Sequence, residues 1–443
     1  MVKKSPKLTQ YLSNAHPFWF CTFAILSAFA TYSCMYAFRK PFAAATFDGQ
    51  SFWGVDYKIL LITAQVIGYT FSKFLGIKVV SESKGQNRML QLLSLIGVAA
   101  LSLLFFGLVV PPYNIIFLFL NGLPLGMVWG LVFAYLEGRK FTEILGAGLS
   151  VSFIFSSGFV KSIGRWVMID WGVSEMWMPL VVGLLFSIPL LVAAYLLDHL
   201  PPPTAEDEAL RTKRSPMNGT QRWAFFREFA PGLVCLILIY ALLTSFRDFR
   251  DNFMAEIWTA LGYGDDAVLF TLTEIPIAFT VLVMMALMML IKSNIKALLL
   301  VQVCIVLGLL VAGIATFAFE QNLISAPVWI TLNGFGLYLG YVPFNSVLFD
   351  RLIAAFRYVS TAGFAIYLAD AFGYLSSIGV MFYKNFGQAD LSWLQFFIMG
   401  NYFIAISGIV LGTIGLAYFY QKYQKRKMKV EALPKIGTLK TSE

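Results

Sequence analysis

The chain is short of charge, of histidine and of cysteine: of 443 residues 13% are charged, two are histidine and four are cysteine. Each shortage excludes something. A soluble protein that is 58% hydrophobic would have too little polar surface to cover itself, since ordinary globular chains carry about 25% charged residues. His16 and His199 stand at the edges of apolar runs, which leaves no histidine-based catalytic centre or buried zinc site inside them. Cys21, Cys34, Cys235 and Cys304 lie within apolar runs, with neither metal-ligand spacing nor a pairing pattern. The formal charge of +9 is not gathered into a basic groove, so nucleic acid is excluded as a partner. Nothing in these patterns calls for a metal or a cofactor.

Apolar runs are what the chain has in plenty. Mean hydropathy is +0.73, and uncharged stretches such as 90–110 and 301–319 approach or exceed the roughly 20 residues that cross a bilayer as a helix. The class expected is all-α: a polytopic membrane protein with twelve transmembrane helices in two pseudo-symmetric six-helix bundles. Spans 1 to 6 are predicted at 17–47, 57–80, 88–110, 114–136, 144–168 and 177–198. Spans 7 to 12 are predicted at 231–258, 266–291, 296–320, 326–349, 359–384 and 392–421. The domains expected are an N-terminal bundle (1–198), a linker (199–230), a C-terminal bundle (231–421) and a basic tail (422–443). Three consecutive prolines and mixed charge mark the linker as solvated.

The N-terminus imitates a signal peptide, with Lys3, Lys4 and Lys7, an apolar stretch and Ala28-Phe29-Ala30. The apolar segment runs on past that point, and cleavage would leave an odd number of spans. Positive charge alternates between loops. The N-terminus, Lys84/Arg88, Arg139/Lys140, the linker, Lys292/Lys296, Arg351/Arg357 and the tail fall on one side; Lys58 and Lys384 are almost alone on the other. Both termini and the linker are therefore expected in the cytoplasm, and the chain in the plasma membrane (the inner membrane of a bacterium). The sequon Asn218-Gly219-Thr220 would be silent there.

The halves echo each other. FRKPF (38–42) parallels FRDNF (249–253), LITAQVIGYTFS (61–72) parallels LFTLTEIPIAFT (269–280), and GLPLGMVWGLVFAYLEGR (122–139) parallels GFGLYLGYVPFNSVLFDR (334–351). Three matches in one order, at similar offsets, indicate a six-plus-six duplication, the architecture of the major facilitator transporters.

Charges inside the spans carry the functional argument, because each costs roughly 2.5–3.5 kcal/mol to insert. At 100° per residue Tyr32, Tyr36 and Arg39 share a helix face, with Lys40 at its edge. Gln65, Tyr69 and Lys73 form a second stripe in span 2, where Lys73 either lines a cavity or snorkels to the interface. Span 7 carries Arg247, Arg250, Asp248 and Asp251, either as ligands or as a neutralising network. Glu274 and Asp370 are intramembrane carboxylates, candidates for proton coupling or for pairing with the span 7 arginines. Converging cations suit a small anion, since an arginine stays charged when buried and grips phosphate or carboxylate with two parallel hydrogen bonds.

Tyr32, Tyr36, Arg39, Lys40 and Phe42 in span 1, with YTFSKF (69–74) in span 2, resemble the organophosphate:phosphate antiporters, the glycerol-3-phosphate and hexose-phosphate exchangers. The resemblance is looser in span 11, at Ala362-Gly363-Phe364 and FGYL (372–375). It implies that Arg39 and one span 7 arginine clamp an organophosphate or phosphate, with Lys73 near the path and Tyr32 and Tyr36 in the site; Tyr69, on the same stripe as Lys73, is a further candidate. For span 7 the repeat points to Arg250, whereas spacing to the following aspartate points to Arg247. Ser156 stands where the glycerol-3-phosphate branch has histidine, and the loop after span 2, SESKGQNR, departs from the family's Asp-Arg signature. The function expected is secondary transport of a small organic or phosphorylated anion by a monomer in contact with membrane lipid. The alternatives are proton-coupled anion symport and a transport-silent sensor retaining the site. A membrane enzyme is not expected, because no nucleophile or base motif stands at the membrane surface.

Overall fold

A computed structural model of the chain describes residues 6–82, 88–137, 139, 141–204, 207, 219–356, 358 and 362–431, apart from the side chains of 6, 73–82, 143, 362–364, 367 and 429–431. It is an all-α membrane protein whose only sheet, among the described residues, is a two-stranded hairpin, β1 (Ser51–Phe52) and β2 (Val55–Asp56). Among the described residues eight helices are long and apolar enough to span a bilayer, and Met178–Leu185 with Ser187–Asp198, which meet at 45°, make up to nine when the bent pair is taken as one span. Tyr57–Glu82, Ala326–Ser346 and Ala362–Phe382 have spanning length and pack among them, so each of the twelve expected segments is helical.

The duplication is visible in which helices touch. Span 1 packs on spans 5 and 6, and span 4 on spans 2 and 3. In the second half span 7 packs on spans 11 and 12, and span 10 on spans 8 and 9. Adding six to each partner of the first set gives the second. The halves meet through span 5 against span 8 and span 2 against span 11, two contacts that also exchange under that shift. Glycine permits the close approaches. A Cβ on Gly122 (span 4) would stand 2.3 Å from the Gln65 carbonyl oxygen, and one on Gly158 (span 5) would stand 2.2 Å from that of Phe270 (span 8).

The predicted boundaries differ from the structure most in span 1. Its α-helix ends at Tyr36 rather than near residue 47, and residues 37–40 form tight turns before a 3₁₀ turn, Pro41–Ala44. Proline disfavours helix in the residue before it and clashes with the carbonyl four residues back, so the chain leaves the helix ahead of Pro41. Span 7 is extended instead: its helix runs Gly219–Asn252, beginning inside the stretch predicted as linker, and the chain resumes as helix at Met254–Ala260. The last helix, Trp393–Glu431, continues ten residues past the predicted end of span 12. The four cysteines are free.

Candidate functional site

Breaking the span 1 helix frees carbonyls that must find donors inside the membrane. Two polar side chains supply them. Asn121 Nδ2 donates to the Phe38 carbonyl at 2.9 Å, and Gln65 Nε2 donates to that of Arg39 at 2.9 Å, while Gln65 and Asn121 also bond each other at 2.9 Å. Spans 2 and 4 thereby hold the turn that presents Arg39 and Lys40, and the two side chains then part.

Arg39 enters an aromatic surround. Its guanidinium carbon lies 4.0 Å from the Tyr69 ring centroid and 5.8 Å from that of Tyr36, with Tyr32 and Tyr374 within electrostatic reach. The rings of Tyr32 and Tyr36 meet edge-to-face at 5.4 Å, and those of Tyr69 and Tyr374 at 5.9 Å, the latter across the two halves. Among the described residues no carboxylate pairs with Arg39, and its Nε is buried without a hydrogen-bond acceptor. Cation–π contact contributes about 2 kcal/mol in a desolvated site, but it does not neutralise charge.

Lys40 turns to the other half. Its Nζ lies 2.5 Å from Asp251 Oδ2 and donates to Asn252 Oδ1 at 2.9 Å. Asp251 also accepts from Lys161 of span 5, at 2.7 Å through Oδ1, and from Ser157. One span 7 carboxylate thus joins spans 1 and 5. Nearby, Lys58 Nζ is 2.6 Å from Glu256 Oε1, a second bridge between halves. Further towards the face opposite the termini, Arg165 bonds the Gly264 carbonyl at 2.6 Å. There too Asn385 pins the hairpin, accepting from the Asp56 amide at 3.1 Å and donating to the Gly54 carbonyl at 3.0 Å. The halves are tied together on this face.

The two span 7 arginines have different surroundings. Arg247 stacks on Tyr341 of span 10, with its guanidinium carbon 3.8 Å from the ring centroid, and pairs with the adjacent Asp248, which accepts from Ser377 at 2.7 Å. Tyr36 lies within electrostatic reach of both Arg39 and Arg247. Arg250 is 1% exposed, 2.6 Å from Glu274 Oε1 and 3.3 Å from the Ile330 carbonyl, and is packed against Gly334. The repeat-based preference for Arg250 as a ligand therefore does not match its surroundings. It lies between spans 7, 8 and 10 of its own half, with Glu274 as its counter-charge. Glu274 does pair with a span 7 arginine, and Asp370 does not: it accepts from Tyr240 at 2.5 Å, and Tyr240 in turn lies 5.2 Å from the Tyr341 ring. The Lys73 side chain lies outside the described residues. Ser156, at the position of the antiporters' histidine, donates to Ser33 at 2.6 Å.

Sequence reasoning missed the bridging role of Asp251 and the pairs at Lys58 and Lys161. Lys58 was expected as a loop charge, yet it is 1% exposed. The available signal was the run of acidic residues in an apolar span, Asp248, Asp251 and Glu256, which require buried cations somewhere.

Two bundles of six helices, related by the repeat and meeting around a polar, tyrosine-lined centre, constitute the major facilitator fold. The chain belongs to a family described as "Family of unknown function (DUF5690)", whose model matches residues 41–422. Among solved structures it is similar to a D-xylose-proton symporter, at 15% identity and a TM-score of 0.55, covering 90% of this chain and 97% of that one. It is also similar to the nucleoside transporter NupG, at 13% identity and a TM-score of 0.59, covering 90% of this chain and 98% of that one. At such identities the likeness is one of fold. No curated protein matches the chain.

Proposed function

We propose that this protein is a secondary active transporter of a small organic or phosphorylated anion, working by alternating access, with Arg39 and Arg247 as its principal ligands. One observation carries the reading. Arg39 is an intramembrane guanidinium with no carboxylate partner among the described residues, while Lys40, Lys58, Lys161, Arg247 and Arg250 all have one. A charge left uncompensated in a membrane interior is costly, and a mobile anion supplies the compensation when it binds. Arg247 supports the reading as its counterpart. Each half presents an arginine stacked on a tyrosine, and the stacked rings hold the guanidinium plane for two-pronged contact with phosphate or carboxylate. Tyr32, Tyr36, Tyr69 and Lys73 complete the proposed site, and Arg250 supports it from behind.

The ties on the face opposite the termini support a state closed on that side. With both termini and the linker cytoplasmic, as the loop charges suggest, this is an inward-directed state in the plasma membrane. The bundles take the proposed bounds 1–198 and 231–421. Proton coupling is a second reading, favoured by the buried Asp370 carboxylate held by Tyr240. Exchange of organophosphate for phosphate rests on the resemblance in spans 1 and 2.

A thermal-shift screen of the purified protein against organophosphates, inorganic phosphate and carboxylates tests the reading. A ligand at about 100 times its Kd stabilises by about 2.7 kcal/mol. Stabilisation by an anion, absent with its uncharged analogue and lost in Arg39→Gln, is expected. A response to neutral sugars or nucleosides alone would overturn it.

A further inference from the structure

We infer that the hairpin between spans 1 and 2 is a latch on the face opposite the termini, with Asn385 as its catch. The first half carries the hairpin as a rigid arm, and Asn385 belongs to the second half. On the alternating-access reading, and whatever the transported molecule, the halves part on this face only after Asn385 lets go. The arm is rooted in the first half. The amides of Thr46 and Phe47 both donate to Glu175 Oε1, at 3.1 and 3.2 Å, from the loop between spans 5 and 6. Tyr57, where span 2 begins, donates to Asn114 Oδ1 at 2.5 Å, and its ring lies 5.5 Å from that of Phe47 and 5.4 Å from that of Phe52. At the tip Trp53 and Gly54 have φ of 55° and 73°, the two left-handed residues that let a two-residue turn match the twist of its strands. A hairpin with strands of two residues has little stability of its own, so it keeps its shape through what holds it.

The catch meets the far edge of the arm. One edge of β2 pairs with β1, and the other presents the Gly54 carbonyl and the Asp56 amide, two residues apart. Asn385 fits both: its Oδ1 accepts from Asp56 at 3.1 Å and its Nδ2 donates to Gly54 at 3.0 Å. One side-chain amide thus stands in for a third strand. Among the described residues no other side chain of the second half hydrogen-bonds the hairpin. The catch is itself fixed. It sits in a π-helical turn, Tyr383–Gly387, where Lys384 is buried with its ammonium 4.8 Å from the Trp393 ring centroid. Trp393 in turn stacks on Phe253 at 4.0 Å, in the break between the two helices of span 7. The catch therefore moves with span 7, and Asp56 on the arm lies within electrostatic reach of Lys384 beside it.

Electron-resonance distances between spin labels at Ser174→Cys and Ala389→Cys test this on the full-length protein in nanodiscs, with its four native cysteines replaced and no ligand present. Both positions are exposed on this face, one in each half. The readout is the ratio of parted to closed molecules. Asn385→Leu is expected to raise it about tenfold, the worth of two net hydrogen bonds, with the gel-filtration profile unchanged. Glu175→Ala should raise it as well, although the two bonds it loses lie within the first half, because a loosened arm holds its catch less well. Glu175→Gln keeps an acceptor and should restore the parent ratio. A merely local role for Glu175 would leave the distance between halves unmoved. An unchanged ratio in Asn385→Leu overturns the latch, and so does an unchanged ratio in Glu175→Ala. Failure of the anion reading would appear in the thermal-shift screen and leave these distances as they are.

Discussion

Lys40 and Asp251, which hold the same position in the FRKPF and FRDNF repeats, form an ion pair with each other across the two halves, Nζ to Oδ2 at 2.5 Å. Duplicated positions that meet in this way lie on the pseudo-two-fold axis between the bundles. Divergence has given one copy a positive charge and the other a negative one, so a residue that would have repelled its counterpart now binds it.

The first prediction concerns that pair. Asp251→Asn leaves Lys40 and Lys161 as buried ammonium groups without their shared carboxylate, and breaking a buried pair this way costs about 3–5 kcal/mol. A drop in thermal stability is expected, with part of it recovered in Asp251→Asn/Lys161→Met, because one of the orphaned charges is gone. Additive losses in the double mutant would show that Lys161 and Asp251 do not act as a unit.

Arg39→Lys retains charge and loses the planar fork. Anion affinity should fall by about 1.5–3 kcal/mol, the value of a charge-assisted hydrogen bond, with thermal stability of the unliganded protein little changed, because Arg39 has no ion-pair partner to abandon. Arg247→Lys should do the same to binding. Anion titration of both variants by calorimetry is the measurement, and parent-like affinity in Arg39→Lys would falsify the two-pronged clamp.

Arg250 should behave in the opposite way. Arg250→Gln is expected to lower stability by about 3–5 kcal/mol, and Arg250→Gln/Glu274→Gln to regain much of it, since the uncompensated carboxylate is removed. Normal stability with lost anion binding in Arg250→Gln would return this residue to the ligand set.

Gly158→Ala puts a methyl 2.2 Å from the Phe270 carbonyl, where spans 5 and 8 bring the halves together. Overpacking of this kind costs about 1–3 kcal/mol. Gly97→Ala is the control, because a Cβ there meets nothing within 4 Å, and in a helix interior alanine gains about 0.5–1 kcal/mol over glycine. The two variants should shift the unfolding temperature in opposite directions.

If Asp370 carries the coupling proton, Asp370→Asn flattens the pH dependence of uptake and leaves exchange at fixed pH active. An unchanged pH profile with reduced expression would make the Tyr240–Asp370 contact a structural one.

Much of this protein is legible in the order of its residues, because a bilayer imposes one-dimensional rules. Apolar runs must be helices of a set length, and intramembrane charges such as Arg39, Glu274 and Asp251 announce themselves by their cost. The repeats foretold the packing scheme that recurs between spans 1–6 and 7–12. The partner of each charge was not legible, because pairing depends on which faces meet between segments some 200 residues apart. Sequence alone inclined slightly to Arg250 over Arg247 through the repeat; the two stand three residues apart on one helix, and only the helices packed around them stack Arg247 on Tyr341 and pair Arg250 with Glu274. It likewise ended the span 1 helix before Arg39, where Pro41 forbids continuation and Gln65 and Asn121 take up the freed carbonyls. Length, class and the costly residues were determined locally. That Arg39 has no carboxylate partner among the described residues, while Lys40, Lys58 and Lys161 find theirs in the other half, was decided by the packing of the helices.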